Sequence, residues 1–148
     1  MALLEVQQLC KTYGGKPVLS DISFTLNQGE VKVIMGPSGS GKSTLLRCLN
    51  LLEKPTSGSV RLNGQEITAP GANLQKVRQN MGFVFQNFAL FKHLDALHNV
   101  ALAPRKLLKM SKKDAHERAE RELERVNMLD HLHKYPAELS GGQQQRIA

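Results

Sequence analysis

The sequence predicts an α/β fold, and three observations carry that prediction. Apolar residues alternate with polar ones, or cluster as β-branched runs, through about residue 90. From Asp95 onward the spacing changes to the three-and-four pattern of amphipathic helices. Between a β-branched run and the first leucine-rich helix lies a loop containing Gly36, Gly39 and Gly41. Strand, glycine loop and helix in that order belong to α/β proteins.

At 148 residues the chain is long enough for one domain with a single core and too short for two ordinary ones. Hydrophobic residues at 41% and charged residues at 22% exclude a disordered chain. No apolar run approaches the roughly 20 residues of a membrane span. The first eight residues carry Glu5 and no basic cluster, so no secretory signal is expected. Cys10 and Cys48 lack metal-type spacing and fit a reducing compartment, hence a cytoplasmic location. The net charge of +7 is dispersed, with only Arg105–Lys106 and Lys112–Lys113 adjacent, and aromatics are 5% with no Trp. Such a basic surplus fits nucleic acid, an anionic membrane face or a phosphate ligand, and charge alone does not decide among them. The sparse aromatics leave little surface to stack on single strands, and nucleic acid is not among the expected partners.

The elements follow in order. Leu3, Val6 and Leu9 lead to a Gly14–Gly15 turn, and Ile22, Phe24 and Leu26 alternate with Ser23 and Thr25 as in a half-buried strand. Asn27-Gln28-Gly29 turns the chain into Val31, Val33, Ile34 and Met35, expected to be a buried strand ending at Gly36. A helix is expected over Lys42–Leu52, with Leu45, Leu46, Leu49 and Leu52 on its apolar side and Pro55-Thr56-Ser57-Gly58 closing it. Val60 and Leu62 alternate ahead of Asn63–Gly64, a hairpin-turn signal. Residues 72–80 read as a short polar helix and Met81–Phe85 as a second buried strand. Ser111 and Asp114 form a capping box ahead of Ala115, Ala119, Leu123 and Val126, with Asp114–Arg118 and Glu117–Arg121 as outward i,i+4 pairs. The organisation is a strand-rich part over about 1–90, a helical part over about 95–138, and a Gly/Gln-rich helix start at 139–146.

The chemistry concentrates in Gly36-Pro37-Ser38-Gly39-Ser40-Gly41-Lys42-Ser43-Thr44, which fits G-x-x-x-x-G-K-[ST] in the strand-to-helix context the motif requires. Several backbone N–H groups must converge on anionic oxygens to hold a triphosphate, and only a glycine-rich loop wraps that closely. The helix from Lys42 adds its dipole and free N–H groups. Lys42 is placed to reach the β- and γ-phosphates, and the Ser43 hydroxyl to complete a Mg²⁺ shell. This is a nucleotide phosphate site. Kinases, GTPases and motor ATPases share the pattern, so the loop by itself leaves the family open.

Three more stretches narrow it. Leu139-Ser140-Gly141-Gly142-Gln143-Gln144-Gln145-Arg146 resembles the signature motif of ABC-transporter ATPase subunits. Gln86 stands where that family has its Q-loop glutamine, and Tyr13 in Lys11-Thr12-Tyr13-Gly14 matches its A-loop aromatic. Four landmarks thus occur in the family's order across nearly the whole chain. The resemblance is strongest to the subunits that energise polar amino acid uptake in bacteria, on Arg47-Cys48-Leu49-Asn50-Leu51-Leu52-Glu53, Phe85-Gln86-Asn87-Phe88-Ala89-Leu90-Phe91 and Tyr135-Pro136-Ala137-Glu138-Leu139-Ser140.

The resemblance implies a P-loop NTPase of the ABC-ATPase fold: a RecA-like core with an antiparallel β subdomain and a helical subdomain. It implies ATP and Mg²⁺ as ligands, with Tyr13 stacking on adenine, Gly36, Pro37, Ser38, Gly39, Ser40, Gly41, Lys42, Ser43 and Thr44 holding phosphates, and Ser43 and Gln86 at the metal. Lys42 and Gln86 are the implied catalytic residues. Ser140, Gly141, Gly142 and Gln143 would act in trans on ATP held by a second subunit. The implied partners are that second subunit in a homodimer sandwich, transmembrane permease subunits and, through them, a substrate-binding protein, on the cytoplasmic face of the inner membrane. The function implied is coupling of ATP binding and hydrolysis to uptake of polar amino acids.

The family continues past its signature with a strand ending in an Asp, a catalytic Glu, a D-loop and a switch histidine, which the 148 residues do not contain. The fold is therefore expected to be incomplete at the C-terminus, the chain a fragment or the product of an interrupted gene, and turnover by it alone negligible. A non-enzymatic remnant that binds nucleotide weakly, or pairs with an intact homologue, is the alternative. An ABC ATPase without transport fits less well, because such chains carry tandem cassettes or long insertions. His93, His98, His116, His131 and His133 form no ligand pattern, and Cys48 reads as a small buried apolar residue.

Overall fold

A computed structural model describes residues 2–148, which divide into two units, one ending at Phe83 and the other running from Val84 to Ala148. In the first, strands β1 (Ala2–Tyr13) and β2 (Lys16–Asn27) form an antiparallel hairpin. Gly14 and Gly15 make its turn with φ of 52° and 80°, the left-handed pair a tight hairpin needs. β3 (Ser57–Leu62) and β4 (Gln65–Glu66) complete a four-stranded sheet of order β2-β1-β3-β4, antiparallel throughout. Asn63 and Gly64, at φ 51° and 76°, supply the second predicted turn. Gly58 sits at φ 88° where the β1–β3 register slips, and a Cβ there would run into the Gln8 carbonyl. Glycine is what lets β3 approach β1.

The sheet buries Leu4, Val6, Leu9, Leu19 and Val60 against Leu45, Cys48 and Leu49 of helix α1 (Lys42–Leu49). Each such leucine contributes about 1.5–3 kcal/mol by leaving water. Cys48 is fully buried, as expected, and burial raises its thiol pKa. α1 stops at Leu49, short of the expected Leu52. Leu51 adopts φ 58°, and the Asn50 side chain accepts the Leu52 N–H at 3.0 Å. Leu46 and Leu52, expected to be apolar-face residues, are 46% and 40% exposed. The buried stripe is instead Leu45, Cys48 and Leu49, an i, i+3, i+4 set from which Leu46 is rotated away. Helix α2 (Leu74–Gln79) forms within the predicted polar stretch, its N-terminus capped by Asn73 Oδ1 accepting from Lys76 N at 3.0 Å.

The expected buried strand over Val31–Met35 does not form. Val31, Val33 and Met35 are 89%, 73% and 86% exposed, and only Ile34 packs on the core. β-branched composition favours a pleated surface but cannot hold one without a ladder partner, and no described segment pairs with these residues. Residues 81–85 likewise lie outside any strand, with Val84 60% exposed.

The second unit is helical. Asp95 caps α3 (Ala96–Leu107) by accepting the His98 N–H at 2.8 Å. Ser111 caps α4 (Lys112–Arg125), with Oγ accepting the Asp114 N–H at 3.1 Å. Ala96, Leu97 and Ala101 pack with Ala115, Ala119 and Leu123, the face the periodicity predicted for α4. Fully buried alanines let the helices approach closely. On the outer face the ion pairs are Lys113–Glu117 at 3.9 Å and Arg125–Glu122 at 3.0 Å, not the expected Asp114–Arg118 and Glu117–Arg121. Asp114 is engaged by the Ser111 hydroxyl at 2.7 Å, and Glu117 by Lys113. α5 (Gly141–Ile147) is the helix start read from the Gly/Gln segment, preceded by single helical turns at Leu129–His131 and Pro136–Glu138.

Candidate functional site

Residues 36–41 close onto the start of α1 and wrap the Lys42 side chain. Its Nζ donates to Gly36 O at 2.8 Å and Pro37 O at 2.7 Å, with Ser40 Oγ at 3.4 Å. The ammonium therefore sits inside the loop, tied to carbonyls on its far side. Gly41, the N-cap, has φ 90°, and a Cβ on it would lie 3.0 Å from Val18 O and 3.1 Å from Leu19 Cδ2. Only glycine lets the loop lie against β2 in that conformation. No side chain caps α1, and Ser43 in its first turn is exposed. A glycine loop, an uncapped helix start and one confined cation are the parts from which a cradle for an anion with several oxygens is built.

Tyr13 ends β1, 44% exposed. Lys11, two residues earlier and so on the same side of the strand, lies with Nζ 4.6 Å from the Tyr13 ring centroid. The same ammonium pairs with Glu53 at 2.7 Å and donates to Lys54 O at 2.8 Å. The Lys11 hydrogen bond holds the Glu53 carboxyl below its ordinary pKa, and the reciprocal bond raises that of Lys11. The Lys11–Glu53 pair went unnoticed in the sequence. Lys11 carried a signal, its period-two relation to Tyr13; Glu53 carried none, because contact across a sheet and a helix end leaves no local pattern.

The remaining expected site residues belong to the second unit. Gln86 lies exposed in irregular chain ahead of α3. Asn99 anchors the end of that segment, its amide donating to Phe91 O at 3.1 Å and Leu94 O at 2.9 Å. Ser140 is the N-cap of α5. Its Oγ accepts from Gln143 N at 3.3 Å, and Gln143 Oε1 accepts from Ser140 N at 2.8 Å. Gln143 Nε2 lies 3.0 Å from His131 Nε2, and Gln144 Nε2 donates to Pro136 O at 2.9 Å and Leu139 O at 3.0 Å. Gly141 and Gly142 are exposed, with open space where a Cβ would be. The predicted residues thus divide between the units, Tyr13 and 36–44 in the first and Gln86 and 140–143 in the second. A cavity of about 380 Å³, lined by Leu51, Pro55, Ile67, Pro70 and Leu74 among others, includes none of them.

A glycine loop closed around a lysine at the head of a helix, backed by an antiparallel sheet, defines a P-loop protein of the ABC-ATPase fold. The chain belongs to the ABC transporter family, whose profile matches residues 19–148. The arginine transport ATP-binding protein ArtM of Bacillus subtilis (strain 168) is 49% identical over 146 residues, covering 99% of this chain and 61% of that protein. The glutamine transport ATP-binding protein GlnQ of Geobacillus stearothermophilus is 47% identical, covering 99% of this chain and 60% of that protein. The chain thus spans 60–61% of the length of these two relatives. Among solved structures, the dimeric post-hydrolysis state of the ATP-binding cassette MJ0796 bound to ADP and Pi matches with a TM-score of 0.86 and 36% identity, over 97% of this chain and 66% of that one.

Proposed function

We propose that the chain supplies the nucleotide-binding part of the ATP-binding subunit of an ABC importer, coupling ATP binding and hydrolysis to uptake of polar amino acids. The observation that carries the reading is Lys42 held inside the 36–41 loop beside the uncapped start of α1. A nucleotide phosphate entering the loop exchanges the carbonyl partners of that ammonium for its own oxygens, and the loop and first-turn N–H groups supply the remaining hydrogen bonds. Tyr13 offers an aromatic surface to adenine. The resemblance to amino-acid transport ATP-binding proteins supports the choice of cargo.

Ser43 in the first unit and Gln86 in the second each carry an exposed side-chain oxygen of the kind a hard cation takes, so each by itself fits the part of a Mg²⁺ ligand. When bound, the ion offsets phosphate charge. Ser140, Gly141, Gly142 and Gln143 are proposed to meet the ATP of a second subunit, as befits a chain resembling a dimeric cassette. Permease subunits and a substrate-binding protein are the further partners proposed, at the cytoplasmic face of the inner membrane. No described helix is long and apolar enough to cross a membrane.

Calorimetric titration of the full-length protein with ATP and magnesium tests the reading. Binding is expected in the wild type, with a loss of tenfold or more in Lys42→Ala, about 1.5–3 kcal/mol for charged hydrogen bonds removed. Equal affinity in the two proteins overturns it.

A further inference from the structure

The Lys11 side chain is unusual for a lysine on a hairpin: it is only 11% exposed, and two of its three donors are used by Glu53 Oε1 at 2.7 Å and Lys54 O at 2.8 Å. Its ammonium then lies over one face of the Tyr13 ring, 4.6 Å from the centroid. The partners of Lys11 are tied to α1, because Glu53 N donates to Arg47 O at 3.0 Å in the last turn of that helix. Thr56 reinforces the join, with its N donating to Cys10 O at 2.8 Å and its Oγ1 accepting from Thr12 N at 3.0 Å. At the other end of α1, the backbone of β2 at Val18 lies against Gly41. The hairpin that carries Tyr13 is therefore fastened to both ends of the helix that carries Lys42 and Ser43.

We infer that Lys11 is a positioning residue for adenine recognition: locked by Glu53, its ammonium covers one face of the Tyr13 ring, fixes the ring's orientation and leaves the opposite face for the base. The inference rests on the nucleotide reading above and adds to it the residue that holds Tyr13, already proposed to meet the base, in place. A cation over an aromatic face is favourable in itself, and a lysine that cannot swing away makes the ring a fixed platform instead of a mobile side chain. The span between the base platform and the phosphate loop is then set by α1 and the two ties at its ends.

The test compares two ligands on the full-length protein with magnesium: ATP, and inorganic tripolyphosphate, which has the phosphates without the base. Lys11→Met is expected to weaken ATP about three- to tenfold while tripolyphosphate affinity stays the same. Lys11→Arg, which keeps a cation over the ring, restores ATP affinity. In a Tyr13→Leu background, Lys11→Met has no further effect. If Lys11→Met does not fold, Lys11→Gln, which keeps hydrogen-bond donors without the charge and leaves the contact of Glu53 with Tyr13 in place, is expected to produce a similar loss, again for ATP alone. Equal losses for both ligands, no loss for ATP, or an undiminished Lys11→Met effect in the Tyr13→Leu background overturns the inference while leaving the phosphate site standing. A wild type that binds neither ligand overturns the nucleotide reading as well.

Discussion

At Gly41 the lack of a side chain decides how residues 36–41 lie against β2. The residue has φ 90°, and the nearest atoms to an added Cβ are the Val18 carbonyl at 3.0 Å and Leu19 Cδ2 at 3.1 Å. Gly41→Ala meets both obstacles together: a left-handed backbone costing about 1–2 kcal/mol for an L residue, and a contact with backbone that cannot rotate out of the way. The loop is exposed, so relief comes by shifting 36–41 away from β2 rather than by unfolding the sheet. Gly41→Ala is therefore expected to reduce ATP affinity by at least tenfold while lowering the unfolding free energy by no more than about 2 kcal/mol. Calorimetry and urea denaturation on the same sample check the pair; unchanged affinity would mean that the loop does not depend on its seat against β2. The motif was legible in the sequence because all its parts lie within nine consecutive residues, Gly36 to Thr44. The Lys11–Glu53 tie beneath Tyr13 was not legible, because nothing near either residue announces the other.

Elements differed in legibility for a related reason. The buried Ala115, Ala119 and Leu123 stripe of α4 was readable because the face follows from helical periodicity and from a cap four residues upstream of its first member. Val31–Met35 was misread because its composition described a strand whose existence depends on neighbours. The α3–α4 pair also carries a titration consequence. The His116 Nε2 is buried without a hydrogen-bond partner, and its ring meets that of His98 edge-on at 5.0 Å between centroids. Burial, first, and then the charges of His98, Lys112 and Arg105 lower the His116 pKa below 6.5, with Glu120 opposing. The folded chain thus takes up this proton later than the unfolded chain does. Stability from this group is complete above pH 6.5 and declines as pH falls from there to the folded value. Asp95 titrates in a separate window. Burial pushes its carboxyl up, but the His98 N–H and ring outweigh that and leave it below 3.8, so its contribution is lost only at lower pH. His116→Phe keeps an aromatic ring against His98 and removes the titration. Denaturant unfolding followed through pH 7 to 5 is expected to show a shallower fall for His116→Phe than for wild type; parallel curves would remove His116 from the account.

For the whole molecule, the largest consequence lies in what the first unit leaves in water. Val31, Val33 and Met35 stand at alternate positions, which in extended chain places all three on one side. They are 89%, 73% and 86% exposed, next to a core that already holds Ile34. An exposed apolar row with unladdered backbone groups is a template for pairing with another chain. The net charge of +7 opposes association only over the roughly 8 Å that salt leaves unscreened, whereas strand pairing acts at contact. The 148-residue chain is therefore expected to self-associate as its concentration or the salt concentration rises, and to bind a hydrophobic dye. Replacing Val31 and Val33 together with Lys and Thr adds charge and removes apolar area at the row itself. Because neither side chain is part of the packed core, the exchange is expected to change unfolding free energy by within about 0.5 kcal/mol while suppressing both association and dye binding. Sedimentation velocity at several salt concentrations, with dye fluorescence on the same samples, makes the comparison. A wild-type chain that stays monomeric at high salt and binds no dye would show that Val31, Val33 and Met35 are covered in solution. Association undiminished in the double variant would place the sticky surface elsewhere.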